Sequence, residues 1–151
     1  MSAQPGKKQK RRLPAKRPGV LTGSVRRFLR RPRVARLATI SPDGYPHIVP
    51  LYFLRDGETL VFGSDCDERK VWNARRNGKG AVVIGGEPET DEAGYLIQGT
   101  LSVEEDPERR VLRRLARRYG SGTDSEDESD EWGQAGSVII RLTPRRVIRV
   151  W

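Results

Sequence analysis

The sequence predicts a mainly β domain with flanking helices, of class α+β, whose antiparallel strands roll into a small closed or half-closed barrel. Three observations predict it. Six or seven short apolar runs are separated by Pro, Gly and Asp turns. Between them, two or three stretches switch to the helical period. A length of 151 residues suits one domain with a real core.

Residues 1–22 hold three Pro, two Gly and seven Lys or Arg with little to bury, which predicts a disordered basic arm. Cations of this kind displace counterions from phosphate, so a weak nucleic-acid contact is one reading of the arm. A solvated tail is the other, and it is favoured because no aromatics interleave the cations for base stacking. The folded domain is expected over 23–151. Residues 1–36 carry 13 of the 29 cations and no acid, which leaves 16 basic against 20 acidic residues in 37–151. The net charge of +9 therefore conceals a mildly acidic body.

Ser24 can cap a short helix over 25–31, which Pro32 ends. Residues 33–40 (RVARLATI) read as the first strand and 45–54 as the second. They are joined by Ser41-Pro42-Asp43-Gly44, where Pro presets φ and Gly supplies a positive φ. The second strand is apolar on both faces, which predicts burial on both sides. Yet Pro46 and Pro50 lack donors toward one edge, which a central strand should not tolerate. A buried strand with a broken edge points to a place where something other than a neighbouring strand docks. The Asp56-Gly57 turn then leads into a third strand over 59–63.

The period changes next. Residues 67–76 read as a helix capped by Asp67 and ended by Gly78, with Val71, Trp72 and Ala74 toward the sheet. Residues 81–86 (AVVIGG) are a short central strand and 95–105 a long one. Gly99, in the middle of the latter, predicts a bulge, a barrel corner or the close approach of a ligand. Asp106-Pro107-Glu108 opens the clearest helix. Val111, Leu112, Leu115, Ala116 and Tyr119 form its apolar face, and six arginines line the rest, expected as a solvated, ion-paired surface. Residues 121–133 read as an acidic loop with six carboxylates within 124–131, without calcium-loop spacing. It is expected to screen the arginines or the arm. Residues 137–142 and 146–151 are the last two strands, split at Thr143-Pro144.

Several chemistries are excluded. One His and one Cys preclude a Cys/His metal cluster. A lone Cys66 leaves no internal disulfide and fits a reducing cytoplasm. No window is long and apolar enough to span a membrane, and no secretory h-region follows the basic start, so a cytoplasmic protein without a membrane partner is expected. Nucleophile-elbow, dinucleotide and Walker motifs do not occur. What remains is an anion site. Strand three ends in Gly63-Ser64, and a helix carrying Arg69 and Lys70 in its first turn begins just afterwards. A hydroxyl, free N–H groups and two cations form a ready phosphate cradle. Cations at a helix start oppose its dipole, and a bound phosphate would account for them. Pairing with Asp65, Asp67 and Glu68 would account for them equally well.

Four stretches in order, LATISPDGYPHIVPLYF, LVFGSDCDERKVWNARRNGKGAVVI, GYLIQGTLSV and TPRRVIRVW, resemble the pyridoxamine 5'-phosphate oxidase-like family of FMN-binding split barrels. The resemblance covers about residues 25–151. It implies a six-stranded antiparallel split β-barrel, a homodimer, and a cofactor at the dimer interface. It also implies that Ser64, Arg69 and Lys70 bind the cofactor's phosphate, and that His47, Ile48, Val49 and Pro50 contact its ring. Gln98 would reach the ring or its ribityl chain, and Trp151 would come from the other subunit. Where the vitamin oxidases carry an Arg-x-x-Leu-Leu-Lys run and a C-terminal Arg-x-His motif, this chain has HIVPLYF and RRVIRVW. It is more similar to the branch that includes FMN proteins, haem-utilisation proteins and reductases using deazaflavin coenzyme F-420. The function implied is an FMN- or F-420-dependent oxidoreductase acting on a small-molecule substrate. The alternatives are a flavin-storage protein and a scaffold with a nucleic-acid-binding arm.

Overall fold

The computed structural model describes residues 19–120 and 136–151; the basic stretch up to residue 18 and the acidic loop expected over 121–133 lie outside the described residues. One antiparallel sheet contains β1 (Ala35–Ile40), β2 (Pro46–Leu51), β3 (Leu54–Asp56), β4 (Thr59–Asp65), β5 (Lys79–Gly85), β6 (Gly94–Glu105) and β7 (Ser137–Arg149). Three helices flank it: α1 (Gly23–Phe28), α2 (Arg69–Arg76) and α3 (Arg110–Tyr119). The strand order is β2-β1-β5-β6-β7-β4-β3.

Among the described residues there are seven strands rather than the six of the expected barrel. The stretch read as one second strand breaks at Tyr52-Phe53 into β2 and β3, which lie at opposite edges of the sheet. Three Cα steps join those edges, a reach of at most about 11 Å. The sheet must therefore curl enough to bring the end of β2 close to the start of β3. No ladder pairs β2 with β3, so hydrogen bonds do not close the roll.

The expectation that the second strand is buried on both sides is overturned. Exposed and half-buried residues alternate along β2, as suits an edge strand with one solvated face. Pro46 and Pro50 sit where proline is tolerated, on a strand with one free edge. The last two expected strands are one, β7, because a bulge at Gln98/Gly99 takes up the irregularity at Pro144. Gly99 is required there: a Cβ would collide with the Thr143 carbonyl oxygen, so the close approach is of backbone rather than ligand.

The inner face carries the core, with Leu37, Phe53, Phe62, Ile84, Ile97, Ile140 and Leu142 fully buried. Phe28 and Leu29 close one end. Leu21, just before α1, is buried with them, and Thr22 rather than Ser24 caps the helix by accepting from Val25 N–H at 3.4 Å. On the outer face, Leu115 of α3 packs on Leu54, Val61 and Ile139. α3 begins at Arg110, after a 3-10 turn over Pro107–Arg109 in which Glu108 and Arg109 adopt φ of 56° and 54°. Asp106 still caps it: its carboxylate accepts from Val111 and Leu112 N–H at 3.0 and 3.1 Å and from the Ser137 hydroxyl at 3.1 Å.

The far end of α3 reaches the junction of the two sheet edges. Tyr119 stacks on Tyr52 with centroids 4.0 Å apart. Its hydroxyl accepts from Phe53 N–H at 3.4 Å and lies 2.9 Å from the Arg33 carbonyl and 3.2 Å from that of Phe53. Arg118 donates to the Leu29 carbonyl at 3.0 Å. The half of the outer face over β2, β1, β5 and β6 has no such cover from any described helix.

Candidate functional site

β4 carries Ser64 on the inner face, opposite Val138 of β7, and the chain then turns into α2. Ser64 and Lys70 are each only 8% exposed and Asn73 only 2%, an unusual burial of polar groups beside an open surface. The Ser64 hydroxyl donates to the Asp65 carbonyl at 3.0 Å. The Lys70 ammonium is bonded to the Glu68 carboxylate. One oxygen of Asp65 is buried without a partner among the described residues. α2 starts two residues later than expected, with Glu68 in the cap position instead of Asp67, and no side chain caps it. The Val71 and Trp72 N–H groups donate to the Glu68 carbonyl at 3.0 and 3.3 Å, which leaves those of Arg69 and Lys70 to donate to an outside partner. Arg69 is exposed and, with Pro42, Asp67, Trp72 and Asn73, lines a hollow of about 280 Å³. Trp72, expected to face the sheet, is 67% exposed. The packing stripe of α2 instead comprises Val71 and Ala74, with Lys70 and Asn73 beside them.

α2 is tied to the β1–β2 hairpin at one point. The Asn73 amide donates to the Thr39 hydroxyl at 3.1 Å and to the Ser41 hydroxyl at 3.5 Å, while Arg76 donates to the Ile40 carbonyl at 2.7 Å. Thr39 pairs with His47 across β1–β2, so His47 shares the sheet face on which Asn73 is bonded. Val49, opposite Leu37, lies on that same face.

Ile48 and Pro50 lie on the other face. The register sets Ile48 beside Ala38, Ala38 beside Ala81, Ala81 beside Gln98 and Gln98 beside Arg146, all on the outer side. A groove of about 630 Å³ runs over this side, with Ala38, Ile40 and Ala81 as floor and Gln98, Lys79 and Arg146 around it. The run 47–50 therefore divides between two faces. Trp151 lies elsewhere again. Val150 N–H donates to the Gly94 carbonyl, and Trp151 comes close to Gly86, at the far end of β5 from Lys79 and Gly80. Six residues of strand separate Gly80 from Gly86, about 20 Å. Within one chain Ser64, Arg69 and Lys70 stand close in sequence at the start of α2, Gln98 faces the outer groove, and Trp151 is remote from both.

Sequence reasoning missed Thr39, Lys79 and Arg146 as neighbours of these surfaces. Their signal is the ladder register, which no local pattern encodes. Asn73 lies within the second of the quoted family-like stretches, but nothing local marks it as the tie between helix and hairpin. Among the described residues there is no cluster of three or more metal-ligating side chains, and no helix is long and apolar enough to cross a membrane.

The family model of pyridoxamine 5'-phosphate oxidase matches residues 21–151. A search of the curated proteins finds no match. Among solved structures, an F-420 reductase is 27% identical with a TM-score of 0.67, covering 81% of this chain and 94% of its own. A Listeria innocua protein provisionally named pyridoxamine 5'-phosphate oxidase is 26% identical with a TM-score of 0.65, covering 84% and 95%. The haem storage protein HutZ of Vibrio cholerae, 19% identical with a TM-score of 0.65 over 85% and 93%, shares the fold alone. The family match takes in the hairpin, the Ser64–Lys70 turn, the long bulged strand and the final strand, and on it the chain belongs to the pyridoxamine 5'-phosphate oxidase family.

Proposed function

We propose that this protein is a homodimeric oxidoreductase that binds FMN or the deazaflavin coenzyme F-420 between two copies and transfers hydride to a small molecule. The observation that carries the reading is the pair of buried polar groups, Ser64 and Lys70, at the uncapped start of α2. The donor set fits a phosphate dianion: an ammonium, a hydroxyl, the Arg69 guanidinium and the first-turn N–H groups. Asp67 and Glu68 oppose an anion there, so Glu68 must give up Lys70 when a phosphate arrives. The F-420 reductase named above is the support for a deazaflavin as well as a flavin.

When bound, the cofactor supplies the hydride chemistry, and the protein's part is binding, orientation and exclusion of water. Asn73 and Arg76 fix the hairpin that carries His47–Pro50 against α2, so that a ring placed beside the hairpin keeps a set distance from the cradle. The second copy is supported by the bare outer face, where Ile48 is 61% exposed, and by the remoteness of Trp151 from the cradle of its own chain. A partner laid over that face would bring its Trp151 to a site that a single chain leaves incomplete, and would complete the split barrel.

The visible spectrum of the protein as purified tests this reading, with mass spectrometry of the released chromophore distinguishing FMN from F-420. A colourless protein that takes up neither cofactor on reconstitution overturns it.

A further inference from the structure

At the end of the sheet opposite the cradle, α1, the start of β6 and the end of β7 enclose a second hollow, of about 300 Å³. Tyr95 lines it, and Thr100, beside the outer groove, lies five residues along β6, about 17 Å away. Four arginines face this hollow, Arg27, Arg31, Arg33 and Arg149, against one carboxylate, Glu92. Two of the four are held in place. Arg33 lies 3.9 Å over the Phe28 ring, donates to the Phe28 carbonyl at 2.9 Å and pairs with Asp91 at 3.3 Å. Arg149 donates to the Trp151 carbonyl at 2.7 Å and to the Glu92 carbonyl at 3.4 Å. Arg27 and Arg31 are exposed and have no partner among the described residues. Even with Asp91 and Glu92 both ionised, the hollow keeps an excess of two positive charges. Phe28 and Tyr95, edge to face at 5.0 Å, back it with a rigid aromatic wall.

Guanidinium forks match planar and tetrahedral oxyanions bidentately, and several converging on a concave, low-dielectric wall bind a multivalent anion better than a single charge. We infer that this hollow is a second binding site, for a small molecule bearing two or more phosphoryl or carboxylate groups. Arg33 and Arg149 form its fixed base, and Arg27 and Arg31 close on the ligand. Within one chain it shares no residue with the cradle of Ser64, Arg69 and Lys70, although its Arg149 adjoins Trp151, and the inference does not depend on the cofactor reading.

The test is calorimetric titration of the full chain with pyrophosphate in one arm and citrate in the other, which tells phosphoryl from carboxylate ligands. Saturable one-to-one binding is expected for at least one, and it should persist when the cradle is disabled by Ser64→Ala with Lys70→Ala. Replacing Arg27→Gln and Arg31→Gln together should weaken it about tenfold or more, the loss of two charge-assisted contacts. The charge-matched control, Arg113→Gln with Arg114→Gln on the exposed face of α3, should leave it unchanged. Absence of saturable binding by both anions overturns the inference. So does an equal loss in the α3 control, which would mean diffuse attraction to a basic surface, or a loss confined to the cradle variant.

Discussion

Replacing Tyr119→Phe deletes one oxygen at the junction of the two sheet edges and leaves the ring. That oxygen is the acceptor for Phe53 N–H, and Phe53 is fully buried, so its amide is left without a partner. A buried donor stripped of its acceptor costs about 1–3 kcal/mol. The stack on Tyr52, of the kind that adds about 0.5–1.5 kcal/mol beyond area burial, survives the change. The expected destabilisation is therefore about 1–3 kcal/mol, and Tyr119→Leu should exceed it by about the value of the stack. Urea unfolding followed by circular dichroism measures both variants, with the slope m unchanged if the native and unfolded ensembles keep their compactness. For a chain of this size each kcal/mol lowers Tm by about 2–4 °C. If Tyr119→Phe unfolds within about 0.3 kcal/mol of the parent, well under the cost of an orphaned buried amide, then the hydroxyl does not hold the junction and the account of how the sheet edges are joined is wrong.

Other expectations concern the site. Ser64→Ala with Lys70→Ala should weaken flavin or F-420 binding at least about tenfold by fluorescence titration; undiminished affinity would remove the phosphate cradle. Asn73→Ala strands the buried Thr39 hydroxyl and should cost about 1–3 kcal/mol, with faster amide exchange in the β1–β2 hairpin. Exchange unaltered there would show that helix and hairpin are not coupled through Asn73. Ile48→Glu on the uncovered outer face should change the stability of a single chain by no more than about 0.5 kcal/mol and abolish the dimer in light scattering. A dimer that persists at micromolar concentration places the interface elsewhere.

Local chemistry made much of this molecule legible. The Ser41–Gly44 and Asp56-Gly57 turns and the apolar face of α3 each depend on residues within a few positions of one another. The placement of Ser64, Arg69 and Lys70 was readable for the same reason, since they sit within one strand–turn–helix unit. The break at Tyr52-Phe53 was not. Both are good strand formers that continue the apolar run, and what ends β2 there is the need to cross from one sheet edge to the other. The apolar residues on both sides of β2 read as double burial, because a sequence does not say whether an apolar face is covered by its own chain. Trp72 followed the same error at smaller scale: its period was compatible with the sheet side of α2, but Val71 and Ala74 already fill it. Which residues of β1, β5, β6 and β7 share a face with Gln98 depends on register between strand partners as far apart in sequence as Tyr95 and Arg149, and only the assembled sheet shows it.

β7 pairs with β6 on one side and β4 on the other, yet it follows every other described strand in the sequence. On the ribosome, the β1–β2 and β3–β4 hairpins can form as they emerge, but the strand that unites the two halves of the sheet arrives only after the other six described strands. Until then β4 and β6 each present an unpaired edge, so the vulnerable interval of this protein is set by translation time rather than by its own folding rate. A nascent chain stalled before Ser137 should be recognised by chaperones and proteases as two fragments of a sheet, and a peptide spanning 136–151 supplied separately should be able to complete it.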